Sequence, residues 1–378
     1  MISMLCSVAL ALSMQAAEPL EEAARGVVTA VLEEEPTPAA AIIIVTEVGD
    51  AVIEVGGVKQ LGGSVAAVAD DPWHIGSNGK AMTATLAMAL SEDGLISLET
   101  TVTDVLGGSM KVDDRWSDVT LRMLLTHRSG IQPNIGTLQF LRYTAFGASG
   151  EAGPSKDRRS ALKGVLKRPP EGTPGEAYLY SNLGYSLAGM MLETVAGQPF
   201  EVLIRERLFD PLGMEGGRLG TPKGAGEDVF RGHRGDPLEV SPAGADNPPV
   251  MSPAGTWAFP LDAYAKFLAD QLLGQQGEPA LLSDESYRQI RTPMVDGEDY
   301  GLGWGLREEG RLQHSGSNTM WFVTSVVAPE EGVAVSILTN SGEVRGLGAR
   351  IDDFIEEHFP DEPTAAVPMA EPGEMPAP

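Results

Sequence analysis

The stretch "AIIIVTEVGDAVIEVGG", residues 41–57, is the first part of the chain in which the sequence dictates a regular structure. Two runs rich in β-branched residues lie on either side of Gly49 and Asp50, a pattern typical of two antiparallel strands joined by a tight turn. Comparable runs return near the other end of the chain, in "RLQHSG" (311–316), "WFVTSVVA" (321–328) and "GVAVSILTN" (332–340). We therefore predict one antiparallel sheet to which both ends of the chain contribute.

Helical spacing of apolar residues marks much of the remaining chain. It occurs before the first strand, in residues 20–35, and after the last one, in residues 348–358. Between the strands, the candidate helices are 121–126, 158–166, 183–196, 200–208 and 262–273. We predict a single α+β domain over residues 18–360, in which terminal helices flank the sheet and a mainly helical lobe is inserted. A catalytic cleft would lie at the seam between sheet and lobe.

The two ends of the chain differ in composition from this domain. An apolar run from Met4 to Met14 precedes Ala16 and Ala17, which predicts a signal peptide over residues 1–17 and export to the periplasm or the cell exterior. No Lys or Arg precedes the run, so an ordinary buried segment or a mis-set start codon stays open. The run is too short for stable membrane insertion. Residues 361–378 are rich in Pro, Glu and Ala, which predicts a disordered tail.

Charge and ligand-forming residues narrow the possible partners. The net charge of −26 disfavours nucleic acid, whose phosphates would be repelled. The single cysteine, Cys6, and five scattered histidines lack the spacing of a metal site, so we expect no metal and no cofactor. A small molecule is then the expected partner, and the oligomeric state stays open.

Ser77 and Lys80 form the most informative pair of polar residues, in "HIGSNGKAM". Residues three apart share one face of a helix, and a helix N-terminus stabilises negative charge on a reacting oxygen. Lys80 would accept the serine proton if burial lowered its pKa. The pattern S-x-x-K is common, however, and Ser160 with Lys163 repeats it in a polar, basic stretch, so the pair needs support from elsewhere in the chain.

Two further segments supply the partners that an acyl transfer needs. "YLYSNLGYS" offers Tyr180 as a phenolate base or proton relay, and Asn182 as a residue that orients Lys80, holds a substrate amide or caps the following helix. "QHSGSNTMW" offers His314 and Gly316 at a strand end. The backbone N–H groups of Ser77 and Ser317 would form a two-donor oxyanion hole, with Gly316 leaving the strand edge open to substrate.

The ordered set Ser77-x-x-Lys80, Tyr180-x-Asn182 and His314-Ser315-Gly316 resembles the serine β-lactamase and penicillin-binding-protein superfamily, in the branch of class C β-lactamases and related esterases. The segments "LRMLLTHRSGI", "SPAGTWAFPLDAYAKFL" and "YGLGW" are similar to others in that family, and the resemblance extends over residues 25–358. It implies a β-lactamase-like fold and a serine hydrolase that forms an acyl-enzyme on Ser77. Lys80 and Tyr180 would share the proton transfers.

The third motif departs from the family's K-T-G form. His314 stands where antibiotic-binding members carry a lysine, so the permanent positive charge next to a substrate carboxylate is missing. Trp321 stands near a position where many relatives have a tighter turn, and it would either line the pocket or pack within the sheet. We therefore expect a carboxylesterase or a β-lactamase-like hydrolase of small esters and amides. A D-amino-acid peptidase, a weak β-lactamase and a non-catalytic binding protein of the same fold are the alternatives.

Overall fold

The structure, a computed structural model, describes residues 19–46 and 51–360. The predicted signal peptide, the turn at Gly49 and Asp50, and the predicted C-terminal tail lie outside the described residues. Among the described residues, every helix falls short of the length and hydrophobicity needed to cross a bilayer.

A six-stranded antiparallel sheet forms the centre of the described chain, with strand order β2-β1-β11-β10-β9-β8. The strands are β1 Ala39–Thr46, β2 Val52–Gly57, β3 Trp73–His74, β4 Arg218–Leu219, β5 His233–Arg234, β6 Glu239–Val240, β7 Trp257–Phe259, β8 Gly305–Leu306, β9 Leu312–Ser317, β10 Phe322–Ala328 and β11 Val333–Thr339. The first strand pairs with the last one, with Ile42 opposite Ile337, so the sheet joins both ends of the chain as the sequence predicts.

The helices surround this sheet on both faces. They are α1 19–34, α2 Gly79–Glu92, α3 Val102–Leu106, α4 Leu121–Leu125, α5 Thr137–Phe146, α6 Gly153–Val165, α7 Asn182–Ala196, α8 Phe200–Ile204, α9 Leu261–Gln276, α10 Asp284–Ile290 and α11 Leu347–His358. Four 3₁₀ segments, Gly76–Asn78, Asp114–Asp118, Pro249–Ala254 and Glu308–Gly310, and one π-helical turn, Arg205–Phe209, complete the regular structure described.

The continuous apolar run of β1 follows from burial of both faces of the sheet. Ala41 and Ile43 belong to the core shared with the helical lobe, whereas Ile42 and Ile44 pack with residues of α1 and α11. Successive side chains of a strand point to opposite faces, so a strand covered on both sides needs apolar residues at every position. The predicted α+β architecture, with terminal helices on the sheet and a helical lobe between the strands, is confirmed.

Two features next to Ser77 differ from the sequence prediction. A small sheet, β3-β7-β4, lies within the region expected to be helices and loops. Its strands have two or three residues, too few to produce an alternating pattern. The helix expected to begin at Ser77 is also divided: Ser77 occupies a 3₁₀ turn, and the α-helix begins at Gly79.

Candidate active site

The turn that carries Ser77 is held by a strand on one side and a helix on the other. β3 pairs with β7, and the Ile75 N–H donates to the Trp257 carbonyl at 3.0 Å. Gly76 then adopts φ +50°, and a Cβ atom there would lie 2.5 Å from the Ser317 backbone nitrogen. Only glycine fits both the backbone conformation and this approach. The turn therefore brings the half-buried Ser77 directly against the end of β9.

Lys80 lies in the first turn of α2, where it is fully buried. Its Nζ is 3.1 Å from Ser77 Oγ, 2.7 Å from Asn182 Oδ1 and 2.8 Å from the Ala254 carbonyl oxygen. Among the described residues, no carboxylate pairs with it. Burial holds the pKa of Lys80 well below its usual range, since a desolvated ammonium without a counter-charge is unfavourable.

The three contacts of Lys80 define how a neutral amine would be oriented. A neutral lysine has two N–H donors and one lone pair. The carbonyl oxygen of Ala254 and Oδ1 of Asn182 can only accept, so they take the two donors. The lone pair is left facing Ser77 Oγ, in the arrangement that a base needs to remove the hydroxyl proton.

Tyr180 lies on the other side of the same amine. Lys80 Nζ is 4.8 Å from the centre of its ring. Burial raises the pKa of Tyr180 well above its usual value, and hydrogen bonding with Ser77 acts in the opposite direction without cancelling the effect. Tyr180 is thus a neutral phenol in the resting site. Of the two predicted roles, this protonation state supports the proton relay and disfavours the phenolate base.

Asn182 connects Lys80 to a neighbouring loop. Its Oδ1 accepts from Lys80, and its Nδ2 donates to Asn134 Oδ1 at 2.9 Å. The prediction that Asn182 caps the helix is wrong: the N-cap is Ser181, whose hydroxyl accepts from the Gly184 N–H at 2.8 Å. The extended backbone of Ser181 lets its short side chain reach back to the helix, which leaves the amide of Asn182 free to orient Lys80.

His314, buried on β9, has both ring nitrogens occupied. Nδ1 donates to the Ser315 carbonyl at 2.8 Å, and Nε2 accepts from the Tyr300 hydroxyl at 3.2 Å. Burial first, and repulsion from the protonated form of Lys80 second, lower the pKa of His314 to about 3. The imidazole is therefore neutral. Its ring centre is 6.5 Å from that of Tyr180, and the hydrogen-bond partner is Tyr300 rather than Tyr180.

Gly316 and Ser317 bring the backbone of β9 next to the nucleophile. A Cβ atom on Gly316 would lie 2.4 Å from the Ile75 carbonyl oxygen and 2.6 Å from the Ser77 nitrogen. The absence of a side chain at Gly316 thus serves close packing against the Ser77 turn, where we had expected only access for substrate. Beside this contact is a small cavity of about 30 Å³ whose lining includes Ser77, Asn182 and Ser317. Ser77 and Ser317, whose backbone amides are the predicted oxyanion donors, both line this cavity.

The burial of the remaining candidate residues decides whether each belongs to the site. Trp321 is buried and packs edge-to-face on Phe230, with ring centres 4.7 Å apart, so it is a core residue and not part of the cavity lining. Ser160 and Lys163, the second S-x-x-K pair, are exposed on α6. The helix that follows Ser77 is buried along most of its length, as a central helix should be.

Several residues of the site were not singled out from the sequence. His127, at φ +60°, is buried with its ring centre 4.3 Å from that of Tyr180, and its Nδ1 accepts from the Ser181 N–H. Burial first, then repulsion from the protonated form of Lys80, hold the pKa of His127 well below its usual value. Two more such residues are Tyr300, which contacts His314, and Ala254, which contacts Lys80. His127 lies in "LLTH" and Tyr300 in "YGLGW", so only the family-like segments signalled them.

The arrangement has the parts of an acyl-transfer site. Ser77 Oγ lies 3.1 Å from a buried amine whose pKa is lowered by burial, and the Tyr180 phenol hydrogen-bonds with the same hydroxyl. The backbones of Ser77 and Ser317 pack closely beside them. The ordinary requirement of a nucleophile, a base within hydrogen-bonding reach and an oxyanion hole is therefore met by the geometry.

Comparison with known proteins agrees with this geometry. The family described as Beta-lactamase matches residues 24–358. Penicillin-binding protein 4 from Amycolatopsis lactamdurans is 27% identical over 328 residues, which cover 82% of this chain and 82% of that protein. An unguisins hydrolase from Aspergillus campestris is 24% identical over 291 residues, 72% of this chain and 53% of that one.

Among solved structures, a D-amino acid amidase from Ochrobactrum anthropi superposes with a TM-score of 0.70 at 20% identity, covering 89% of this chain and 98% of that one, a likeness of fold alone. The resemblance read from the motifs is confirmed by the family match, which spans nearly all of the described residues. The chain belongs to the beta-lactamase family, within the superfamily of serine hydrolases that includes the penicillin-binding proteins.

Proposed function

We propose that the protein is a serine hydrolase that forms an acyl-enzyme on Ser77 and hydrolyses small esters, as a carboxylesterase does. One observation carries the proposal: Lys80 Nζ is fully buried, 3.1 Å from Ser77 Oγ, and its other two contacts are acceptors. A lysine in this environment is a neutral base directed at one hydroxyl.

The proposed reaction begins when Ser77 Oγ attacks the substrate carbonyl carbon while its proton passes to Lys80. The backbone N–H groups of Ser77 and Ser317 bind the oxyanion. Tyr180 donates its phenolic proton to the leaving group as the bond to the acyl carbon breaks, and it recovers a proton from the Lys80 ammonium. Water then attacks the acyl carbon, the same groups carry the protons in reverse, and Ser77 is released.

His314 supports a preference for neutral substrates. Because its imidazole is uncharged, this position gives no cation to bind a substrate carboxylate. Esters and uncharged amides therefore fit the site better than anionic β-lactams.

Hydrolysis of an amide is the second candidate, favoured by the name of one protein of similar fold, a D-amino acid amidase. It includes the D-amino-acid peptidase and the weak β-lactamase. A binding protein without catalysis is a third, which the buried, carboxylate-free lysine argues against.

Mass spectrometry of the intact protein tests the proposal. The protein is mixed with a p-nitrophenyl ester, a D-alanyl peptide and a chromogenic cephalosporin, and we expect the ester to give the fastest turnover with an acyl adduct on Ser77. Ser77→Ala should form no adduct. Ser160→Ala is the matched control, because this exposed serine lies in the same S-x-x-K pattern, and it should react like the wild type. An adduct that persists in Ser77→Ala, or a wild type without any adduct, would refute the proposal.

We also propose export to the periplasm or the cell exterior through residues 1–17, on the apolar run that ends before Ala16. Expression of the full chain with a C-terminal tag, followed by N-terminal sequencing of the protein from the medium and periplasm, tests it. We expect a new N-terminus near Ala17. Intact chain found only in the cytoplasm would contradict export.

A further inference from the structure

Behind the Ser77 turn lies a buried histidine–carboxylate pair that the reaction above does not use. His74 Nε2 is 3.0 Å from Asp246 Oδ2, and both side chains are almost fully buried, with exposed fractions of 0% and 5%. The two residues are 172 positions apart, on β3 and on the loop that precedes the 3₁₀ segment Pro249–Ala254. This pair therefore links two segments of the chain that are far apart in sequence.

The hydrogen bonds of His74 determine its protonation. Its Nδ1 accepts from the Gly76 backbone N–H at 3.1 Å, so that nitrogen carries no proton. The proton must lie on Nε2, which donates it to Asp246. Both ring nitrogens are thus occupied away from the Ser77 hydroxyl, and His74 cannot serve as its base.

Asp246 extends the same network to the other side of the oxyanion hole. Its Oδ1 accepts from the Asn318 side-chain amide at 2.9 Å and from the Asn247 N–H at 2.7 Å. Asn318 directly follows Ser317 and is itself buried, and its Oδ1 accepts from the Met320 N–H. The pair therefore touches the residue before Ser77 and the residue after Ser317, which flank the two proposed oxyanion donors.

We propose that His74 and Asp246 are positioning residues that fix the Ser77 and Ser317 backbone amides at the separation an oxyanion requires, an inference that rests on the proposed acyl transfer at Ser77. The contact they hold is tight, because a Cβ on Gly76 would lie 2.5 Å from the Ser317 nitrogen. Donors in an oxyanion hole act only when they lie at hydrogen-bond distance from the developing charge. A small rotation of the Gly76 peptide would lose that alignment.

A matched pair of substitutions separates the two hydrogen bonds of His74. In His74→Asn, the amide oxygen replaces Nδ1 and keeps an acceptor for Gly76, but the side chain is too short for Asp246. In His74→Gln, the amide nitrogen replaces Nε2 and keeps the donor to Asp246, but Gly76 loses its acceptor. We expect each variant to lower kcat for a p-nitrophenyl ester by about 10–100-fold with KM within about twofold, because each breaks one of the two hydrogen bonds that connect Asp246 with the Gly76 backbone.

A thionoester substrate distinguishes positioning from a general loss of structure. Sulfur accepts hydrogen bonds poorly, so an intact oxyanion hole favours the ester over its thionoester, and a damaged one favours it less. The ester-to-thionoester rate ratio should fall in both variants. A ratio that stays at the wild-type value in either variant would overturn the inference. If His74→Gln does not fold, Asn318→Ala loosens the Ser317 side instead and should lower the same ratio.

Nitrogen NMR of the imidazoles in the wild-type protein gives a readout that does not depend on activity. We expect His74 as the Nε2–H tautomer, and the Nδ1–H tautomer would refute the hydrogen bonds on which the inference rests. If no adduct forms on Ser77, the proposed function fails, and the NMR result still decides whether the His74–Asp246 pair has the stated geometry.

Discussion

Replacement of Lys80 by methionine gives the sharpest test of the neutral base. Methionine nearly preserves the volume of the side chain but has no ionisable group. In the wild type, the native pKa of Lys80 is well below its usual value, whereas the unfolded chain has an ordinary lysine near 10.4. Between these two pKa values the unfolded state binds one more proton than the native state, so this residue makes the protein more stable as pH rises.

The expected magnitude follows from that proton. The free energy of unfolding of the wild type should rise relative to that of Lys80→Met by up to about 1.4 kcal/mol per pH unit, or about 2.7 kcal/mol between pH 7 and pH 9. Two opposing effects set the absolute difference in the free energy of unfolding between the two proteins, so the test uses the slope. Methionine removes the desolvation penalty, but it leaves Asn182 Oδ1 and the Ala254 carbonyl without their donor, at about 1–3 kcal/mol each.

Urea denaturation at pH 7, 8 and 9, with both proteins measured in the same buffers, tests this slope. Lys163→Met is the matched control, because Lys163 is exposed and should show no slope relative to wild type. His127 and His314 have lowered pKa values and Tyr180 a raised one, so these neighbours titrate outside the range. A constant difference between wild type and Lys80→Met would show that Lys80 is charged in the folded protein, and the proposed base would be refuted.

Three further predictions use the same stability and kinetic assays. Arg158→Ala should lower the free energy of unfolding by about 3–5 kcal/mol in urea titrations, because it leaves two buried glutamates without their counter-charge. Gly316→Ala should lower the rate of acylation by about 100-fold in a stopped-flow ester assay, because the new methyl would lie 2.6 Å from the Ser77 nitrogen; near-normal acylation would contradict the proposed hole. Tyr180→Phe should lower turnover of an alkyl ester by about 100-fold but of a p-nitrophenyl ester by less than about 10-fold, because a good leaving group needs no proton; equal losses would argue against the relay.

The sequence was most informative where a residue's own chemistry or periodicity determines its place. The β-branched runs predict the sheet because a strand buried on both faces needs apolar residues throughout. The S-x-x-K pattern was ambiguous until the order of the other motifs distinguished it from the copy at Ser160. The structure adds the burial of each side chain: Lys80 is fully buried, whereas Lys163 is exposed. The local sequence around the two lysines does not predict this difference.

Other parts of the site depend on contacts between distant segments. Ala254 binds Lys80 through a backbone carbonyl, and no side-chain pattern signals a carbonyl. His74 pairs with Asp246 across 172 positions, and neither residue belongs to a motif that we recognised. Ser181 and Asn182 are both favourable N-cap residues, so the sequence alone does not decide between them. The backbone conformation shows that Ser181 caps the helix.

The protonation preferences of the site's side chains give a physical reason why the third motif, His314-Ser315-Gly316, carries histidine in place of lysine. Burial lowers the pKa of Lys80 and His314 and raises that of Tyr180, so it favours the uncharged form of all three groups before substrate binds. A second lysine in place of His314 would put a fixed charge near the amine of Lys80, and a further desolvated cation is costly without a carboxylate. A neutral imidazole avoids that cost and leaves the backbone amides as the main source of positive potential for the oxyanion. The site then stabilises charge that forms during the reaction rather than charge that the substrate brings, which is why we expect neutral esters to react fastest.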